Sequence, residues 1–153
     1  MPLYTFFVNR HMHSSNIFKI KKVKKTPARK AILNLFNKIK KPISSDEITG
    51  KLNQKGIKVN RTTVFRNINL MTKKGLINKV EFNEGKFRYE SSFLPHHHHL
   101  ICKKCKAIKD IKSDLLYNQI NKLSKKVKAL YGFQIEDHKI EFFGKCKNCK
   151  KLN

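Results

Sequence analysis

Four cysteines fall in two pairs, Cys102-Lys103-Lys104-Cys105 and Cys146-Lys147-Asn148-Cys149. Each C-x-x-C knuckle turns two thiolates toward one point, and two matched knuckles suit a tetrahedral zinc site with four sulfur ligands. Neighbouring lysines favour the thiolate form and offset the negative charge of such a site. The competing readings are a thioredoxin-like redox pair or unpaired structural cysteines. Just before the first knuckle stands a run of four histidines, His96 to His99. In an extended segment alternate side chains share a face, so His97 and His99 project one way and His96 and His98 the other. Two such pairs can serve two sites. Imidazole is a borderline ligand for Zn, Fe, Mn, Co and Ni, and an added carboxylate shifts the preference toward Fe(II), Mn(II) or Zn(II). Glu90 upstream and Asp110 after the first knuckle are the nearest oxygen donors that fit. The plain alternative is a polar linker.

Three helices and a hairpin are expected to lie ahead of these ligands. Ile32, Leu35, Phe36 and Ile39 recur at helical spacing after Pro27, which suits a first turn. Ser44 and Glu47 form a capping box for a second helix, with Ile43 and Ile48 as its hydrophobic staple and Gly56 as its stop. Asn60 can cap a third helix, on which Val64, Ile68 and Met71 share one face while Thr62, Phe65, Arg66 and Asn69 project from the other. Arg pairs with guanine, Asn with adenine, and a ring touches a thymine methyl, so this face suits a major groove. An ordinary solvated face is the competing reading. After Gly75, Val80 and Phe82 alternate, Asn83-Glu84-Gly85-Lys86 turns, and Phe87 and Tyr89 alternate back. Three helices and a hairpin make a winged helix-turn-helix.

Strand material around the first knuckle is expected from Leu100 to Ile111. A helix should run through Leu116, Ile120, Leu123 and Val127 to Gly132, and further strands should hold Phe133 with Ile135 and Ile140 with Phe142. The expected fold class is therefore α+β, a winged helix-turn-helix followed by a small α/β domain stapled by a four-cysteine zinc site. The expected divisions are an arm over residues 1–15, containing His11, Met12 and His13, a DNA-binding domain over 16–93, and a metal-binding domain over 94–153. Met12 is an alternative start.

Charge narrows the partner. The chain has 153 residues with 35 Lys plus Arg against 10 Asp plus Glu, a formal charge of +25. Such a surplus attracts polyanions, nucleic acid first. All five arginines, Arg10, Arg29, Arg61, Arg66 and Arg88, precede the histidine run, and the arginine fork suits phosphate and guanine edges. No apolar run reaches the roughly 20 residues of a spanning helix. The opening residues lack the pattern of a secretory signal, so a cytoplasmic protein is expected. No nucleophile constellation accompanies the histidines, and ligands alone make no catalytic site, so no enzyme and no small-molecule substrate are expected. Glu90 belongs to the winged half and Asp110 to the second half. A metal held by both, with His97 and His99, would bias the chain toward one arrangement by its difference in affinity for the alternatives.

These residues together resemble the ferric uptake regulator (Fur) family of metal-dependent bacterial repressors. The likeness runs from about Lys24 to Cys149. It rests on Thr26-Pro27-Ala28-Arg29, Thr63-Val64-Phe65-Arg66, Phe87-Arg88-Tyr89-Glu90, the histidines leading into Cys102-x-x-Cys105, and Cys146-x-x-Cys149. The resemblance implies that the second domain dimerises, that the homodimer binds A/T-rich inverted repeats in duplex DNA, and that it controls metal-uptake or peroxide-stress genes. It implies a structural Zn2+ on Cys102, Cys105, Cys146 and Cys149, and a regulatory Fe2+, Zn2+ or Mn2+ on Glu90, His97, His99 and Asp110. An additional site maps to His96, His98 and His138. The motif matches add Arg29 and Thr63 to Thr62, Phe65, Arg66 and Asn69 as DNA-binding residues. Three positions depart from the family pattern. Lys41 stands where iron and peroxide sensors usually supply a histidine, and Phe65 stands where tyrosine is usual. The acid that the additional site usually takes from the long helix falls near Tyr117, with Asp114 the nearest carboxylate. A basic RNA-binding protein with a zinc ribbon is the alternative function.

Overall fold

The structure is a computed structural model, and it describes residues 22–112 and 114–150. The expected arm and the alternative start at Met12 lie outside the described residues. The chain divides into two units, Met1–Leu94 and Pro95–Asn153.

Helix α1, Pro27–Lys38, begins where the Thr26 side chain accepts from the Arg29 amide, with proline in the first turn where its missing N–H costs nothing. Ile43–Ser44 forms a two-residue strand, β1. Ser44 also caps α2, Ser45–Gln54: its hydroxyl accepts from the Glu47 amide at 3.3 Å, and its own amide donates to the Glu47 carboxylate at 2.8 Å. This is the capping box read from the sequence. Gly56 follows with φ +76°, which glycine adopts without the steric cost that a side chain brings. Helix α3, Arg61–Lys73, is capped by Asn60, whose side chain accepts from the Thr63 amide at 2.7 Å. Strands β2, Ile77–Glu81, and β3, Phe87–Ser91, form an antiparallel hairpin, and β1 adds to the other side of β3, giving the order β1-β3-β2. Asn83 and Gly85 both take positive φ at the hairpin tip.

The core of this unit is one cluster. Ile32, Leu33, Leu35 and Phe36 of α1, Ile48 and Leu52 of α2, and Val64, Ile68 and Met71 of α3 meet Ile43, Leu76, Ile77 and Tyr89, all almost without exposure. Each helix buries the face that its 3.6-residue spacing marks, and the burial holds α3 with its other face outward.

In the second unit, β4 is His97–Cys102, β5 is Ile108–Lys112, α4 is Asp114–Tyr131, β6 is Glu141–Gly144 and α5 is the short Lys147–Lys150. The sheet order is β5-β4-β6, with β4 antiparallel to β5 and parallel to β6. His97 to His99 thus open the central strand, with His96 just ahead of it. One expected strand is absent: Phe133 to Ile135 has no strand pairing, and pairing begins only at Glu141. Phe133 is exposed, so its alternation with Ile135 does not mark a buried face. Among the described residues no helix is long and apolar enough to cross a membrane.

Candidate metal centres and nucleic-acid interface

The four cysteines converge. Cys102 ends β4, Cys105 lies within a tight turn closed by the Lys106 amide donating to the Cys102 carbonyl at 2.9 Å, Cys146 precedes α5 and Cys149 lies in it. The Lys103 amide donates to the Gly144 carbonyl at 2.8 Å, which carries the parallel pairing of β4 and β6 on into the knuckles. One donor atom from each cysteine lies within 4.8 Å of the others. All four are free of disulfides, and Cys105 Sγ is 3.6 Å from Cys146 Sγ.

The cluster is electrostatically unbalanced without a cation. Backbone amides of Cys105 and Cys146 hold the Cys102 thiol down to about 6, the latter donating to Cys102 Sγ at 3.3 Å. Cys149 is pushed up to about 12, first by its hydrogen bond with Cys105 and then by burial and the other sulfurs. Sulfurs so close cannot all ionise alone, and a dication removes the conflict. The donor set therefore fits zinc.

The histidines divide as alternation requires. The rings of His97 and His99 lie 4.8 Å apart on one face, and those of His96 and His98 lie 4.8 Å apart on the other. His97 Nδ1 donates to the Pro95 carbonyl at 2.8 Å, which leaves Nε2 with the lone pair a metal needs. His99 is paired across the sheet with Asp110 on β5 and Glu141 on β6, and its Nε2 stands 3.9 Å from the Asp110 carboxylate. Glu90, buried, is the fourth residue of β3 in the first unit. Glu141 carries no signal in the sequence. Only the parallel pairing of β6 brings it beside His99.

On the other face, His138 from the segment before β6 joins His96 and His98, and His96 Nε2 is 3.0 Å from His138 Nε2. One donor atom from each of the three lies within 4.8 Å of the others. His98 is only 2% exposed, and its buried Nε2 has no hydrogen-bond partner among the described residues. An orphaned ring nitrogen facing two further imidazoles fits a metal ligand. Burial, and then the charges of neighbouring histidines, hold both His96 and His98 below the ordinary histidine value, in the neutral form that binds metal. A cavity of about 310 Å³ adjoins the triad, lined also by Tyr117 and Asn121 of α4. Tyr117 thus stands near the position where the resemblance implies an acid.

In the first unit α3 presents Thr62, Phe65, Arg66 and Asn69 to solvent, with Phe65 half exposed, while Thr63 is partly buried. Three devices hold this helix. Asn53 clasps the turn before it, donating to the Val59 carbonyl at 3.2 Å and accepting from the Val59 amide at 2.9 Å. Arg61 donates to Asp46 of α2 at 2.8 Å. Arg29 of α1 does not project freely: its Nε donates to Asn67 Oδ1 at 2.8 Å and its Nη1 to the Lys24 carbonyl at 2.7 Å. At the hairpin, Arg88 joins Glu84 at 3.0 Å and Glu47 at 3.1 Å, linking the wing to the start of α2. Burial raises the Glu47 carboxyl, but hydrogen bonds from Ser44 and the charge of Arg88 outweigh it and hold the group below its ordinary value. None of these cross-links has a local sequence signature.

The ferric uptake regulator family model matches residues 21–143, spanning both units. The chain belongs to the ferric uptake regulator family. This is a family of metal-responsive regulators of transcription, not of enzymes. The ferric uptake regulation protein of Bacillus subtilis (strain 168) is 27% identical over 146 residues, covering 93% of this chain and 91% of that protein. The iron-containing structure of the Francisella tularensis ferric uptake regulator is 31% identical with a TM-score of 0.73, covering 83% of this chain and 94% of the other. The Helicobacter pylori regulator Fur, described as having three functional metal-binding sites, gives a TM-score of 0.76 at 26% identity, with 89% and 88% covered. As a Fur family member the chain has the mixed helix-and-sheet fold expected, with a four-cysteine cluster suited to zinc.

Proposed function

We propose that this chain is a cytoplasmic repressor that binds A/T-rich inverted repeats in duplex DNA as a metal-loaded homodimer and so controls metal-uptake or peroxide-stress genes. The observation that carries the reading is α3: a helix with its apolar face locked into the core and Thr62, Phe65, Arg66 and Asn69 turned outward. Arg66 supplies a fork for guanine, Asn69 a bidentate amide for adenine, and Phe65 and the Thr62 methyl apolar contact for thymine. Thr63, in the first turn, lies where a helix N-terminus meets a phosphate. The high positive charge supplies attraction to the duplex that is independent of base sequence.

The cysteine cluster holds a structural Zn2+, supported by its donor set. Glu90, His97, His99 and Asp110 form the regulatory site, taking Fe2+, Zn2+ or Mn2+. Two imidazoles and two carboxylates suit all three ions. His96, His98 and His138 form an additional site. Homodimerisation through the second unit is supported by the large apolar side chains it leaves exposed, among them Leu123, Leu130, Tyr131, Phe133 and Phe142.

The test is selection from a random duplex library by the full chain, with and without added Fe2+, Zn2+ or Mn2+ and with RNA as competitor. The expected result is metal-dependent enrichment of an A/T-rich inverted repeat that RNA does not displace. Enrichment of RNA over duplex would favour the zinc-ribbon RNA-binding alternative, and no enrichment of any duplex would refute the repressor reading.

A further inference from the structure

Arg29 lies in the first turn of α1, and its guanidinium is committed to two directions at once. Nε donates to Asn67 Oδ1 on α3 at 2.8 Å, and Nη1 donates to the Lys24 carbonyl, ahead of α1, at 2.7 Å. The Asn67 amide is itself fixed, because its Nδ2 donates to the Thr63 carbonyl one turn back at 2.7 Å. Its oxygen is therefore held toward Arg29. Both side chains are partly buried, whereas Phe65, Arg66 and Asn69 on the same helix are exposed. The apolar packing of Val64 and Ile68 in the core decides which face of α3 is buried, but it is non-directional and does not by itself fix the exact rotation of the helix. Beside the Asn53 clasp and the Arg61–Asp46 pair, a planar donor held from two sides adds a directional constraint on that rotation, and a lysine ammonium cannot reproduce its geometry.

We propose that Arg29 is a positioning residue for the recognition helix: through Asn67 it sets the rotation of α3 that aims Arg66 and Asn69 at base edges, and it is not itself a phosphate contact. The proposal rests on the DNA-binding reading of α3. It also separates two roles that net charge alone cannot distinguish. A phosphate contact depends on the charge and is indifferent to base sequence. A positioning residue depends on the shape of the fork and acts through sequence discrimination.

The experiment uses the full metal-loaded chain, the duplex that the wild type enriches from a random library, and a shuffled duplex of the same composition. Affinities are measured across a salt series for wild type, R29K, R29A, N67A and R29K/N67A. R29K, which keeps the charge and loses the fork, is expected to weaken the selected duplex about tenfold, the scale of a charge-assisted hydrogen bond. The shuffled duplex should change less than about twofold, and the log–log salt slope should stay as in wild type. N67A should behave alike, and the double variant should be no weaker than the weaker single one, because both changes break one link. The proposal is overturned if R29K binds as wild type while R29A weakens both duplexes equally and lowers the slope by about one unit, the signature of a lost phosphate contact. Amide exchange over residues 61–67 without DNA gives an independent readout. Faster exchange in R29K supports the link, and unchanged exchange overturns it. If the wild type enriches no duplex, it is the DNA-binding reading that fails, and the exchange result alone then decides whether Arg29 holds α3.

Discussion

Removing Cys102, a ligand of the proposed structural zinc, should unfold the second unit and leave the first intact, because each unit has its own source of stability. The core cluster, from Val23 to Tyr89, lies in the first unit. Among the described residues of the second unit, the buried apolar set is Ile101 with the two cysteines Cys102 and Cys149. One fully buried isoleucine contributes about 1.5 to 3 kcal/mol. A structural zinc on four thiolates contributes an apparent 10 to 16 kcal/mol or so near neutral pH, as much as the whole stability of a typical domain at about 5 to 15 kcal/mol. Cys102→Ser removes a sulfur whose thiolate is stabilised by backbone amides, at the residue that ends the central strand β4, flanked by β5 and β6. The assay is hydrogen exchange read by mass spectrometry, with metal content measured on the same samples. Loss of zinc should be accompanied by loss of amide protection over 97–112 and 141–150, while peptides covering 27–38 and 61–73 keep theirs. Protected β4 amides in a zinc-free variant would show instead that the small apolar core suffices without metal.

Other perturbations probe separate links. Arg66→Ala should weaken the selected duplex by about 1 to 3 kcal/mol and relax preference at one base position in a binding-site selection; equal loss on every sequence would make Arg66 a phosphate contact. Ser44→Ala removes the cap of α2 and should lower the first unit's stability by about 1 kcal/mol in denaturant unfolding. The Glu47 carboxyl, held below its ordinary value of 4.5, contributes stability that is fully present above 4.5 and is lost as pH falls through the lowered value. Glu47→Gln should therefore flatten the acid side of the first unit's stability curve, and an unchanged acid limb would contradict the assignment. His98→Ala should abolish one metal equivalent at the triad while the zinc stays bound, as read by metal analysis after dialysis against a mild chelator.

Much of this architecture is legible in local sequence because local physics decides it. The Ser44–Glu47 box, the Asn60 cap and the 3.6-residue spacing of Val64, Ile68 and Met71 each involve residues within two turns of one another. Alternation along an extended run is enough to sort His97 and His99 from His96 and His98. Matched knuckles carry their ligand chemistry in their spacing, so the cysteine cluster is readable although its halves lie far apart. The rest depends on contacts with no sequence signature. Alternation alone cannot tell a paired strand from an extended loop, which is why Phe133 to Ile135 reads as a strand and pairs with nothing in the sheet. Glu141 meets His99 only through a parallel register. Arg29 matches a family motif that marks it as a DNA-binding residue, but the fold commits its fork to Asn67 and Lys24.

A metal-loaded repressor requires that metal control duplex binding. This control is tested most directly by fluorescence anisotropy of the selected duplex with protein that retains its cysteine-bound zinc, measured with the histidine sites emptied and then refilled with Fe2+, Zn2+ or Mn2+ under anaerobic conditions. Weak binding alike to selected and shuffled duplexes is expected when the sites are empty. At least one ion should then restore tight, sequence-selective binding, and Glu90→Ala should abolish that restoration without disturbing the zinc. Tight selective binding by the emptied protein, unchanged by any of the three ions, would contradict metal control.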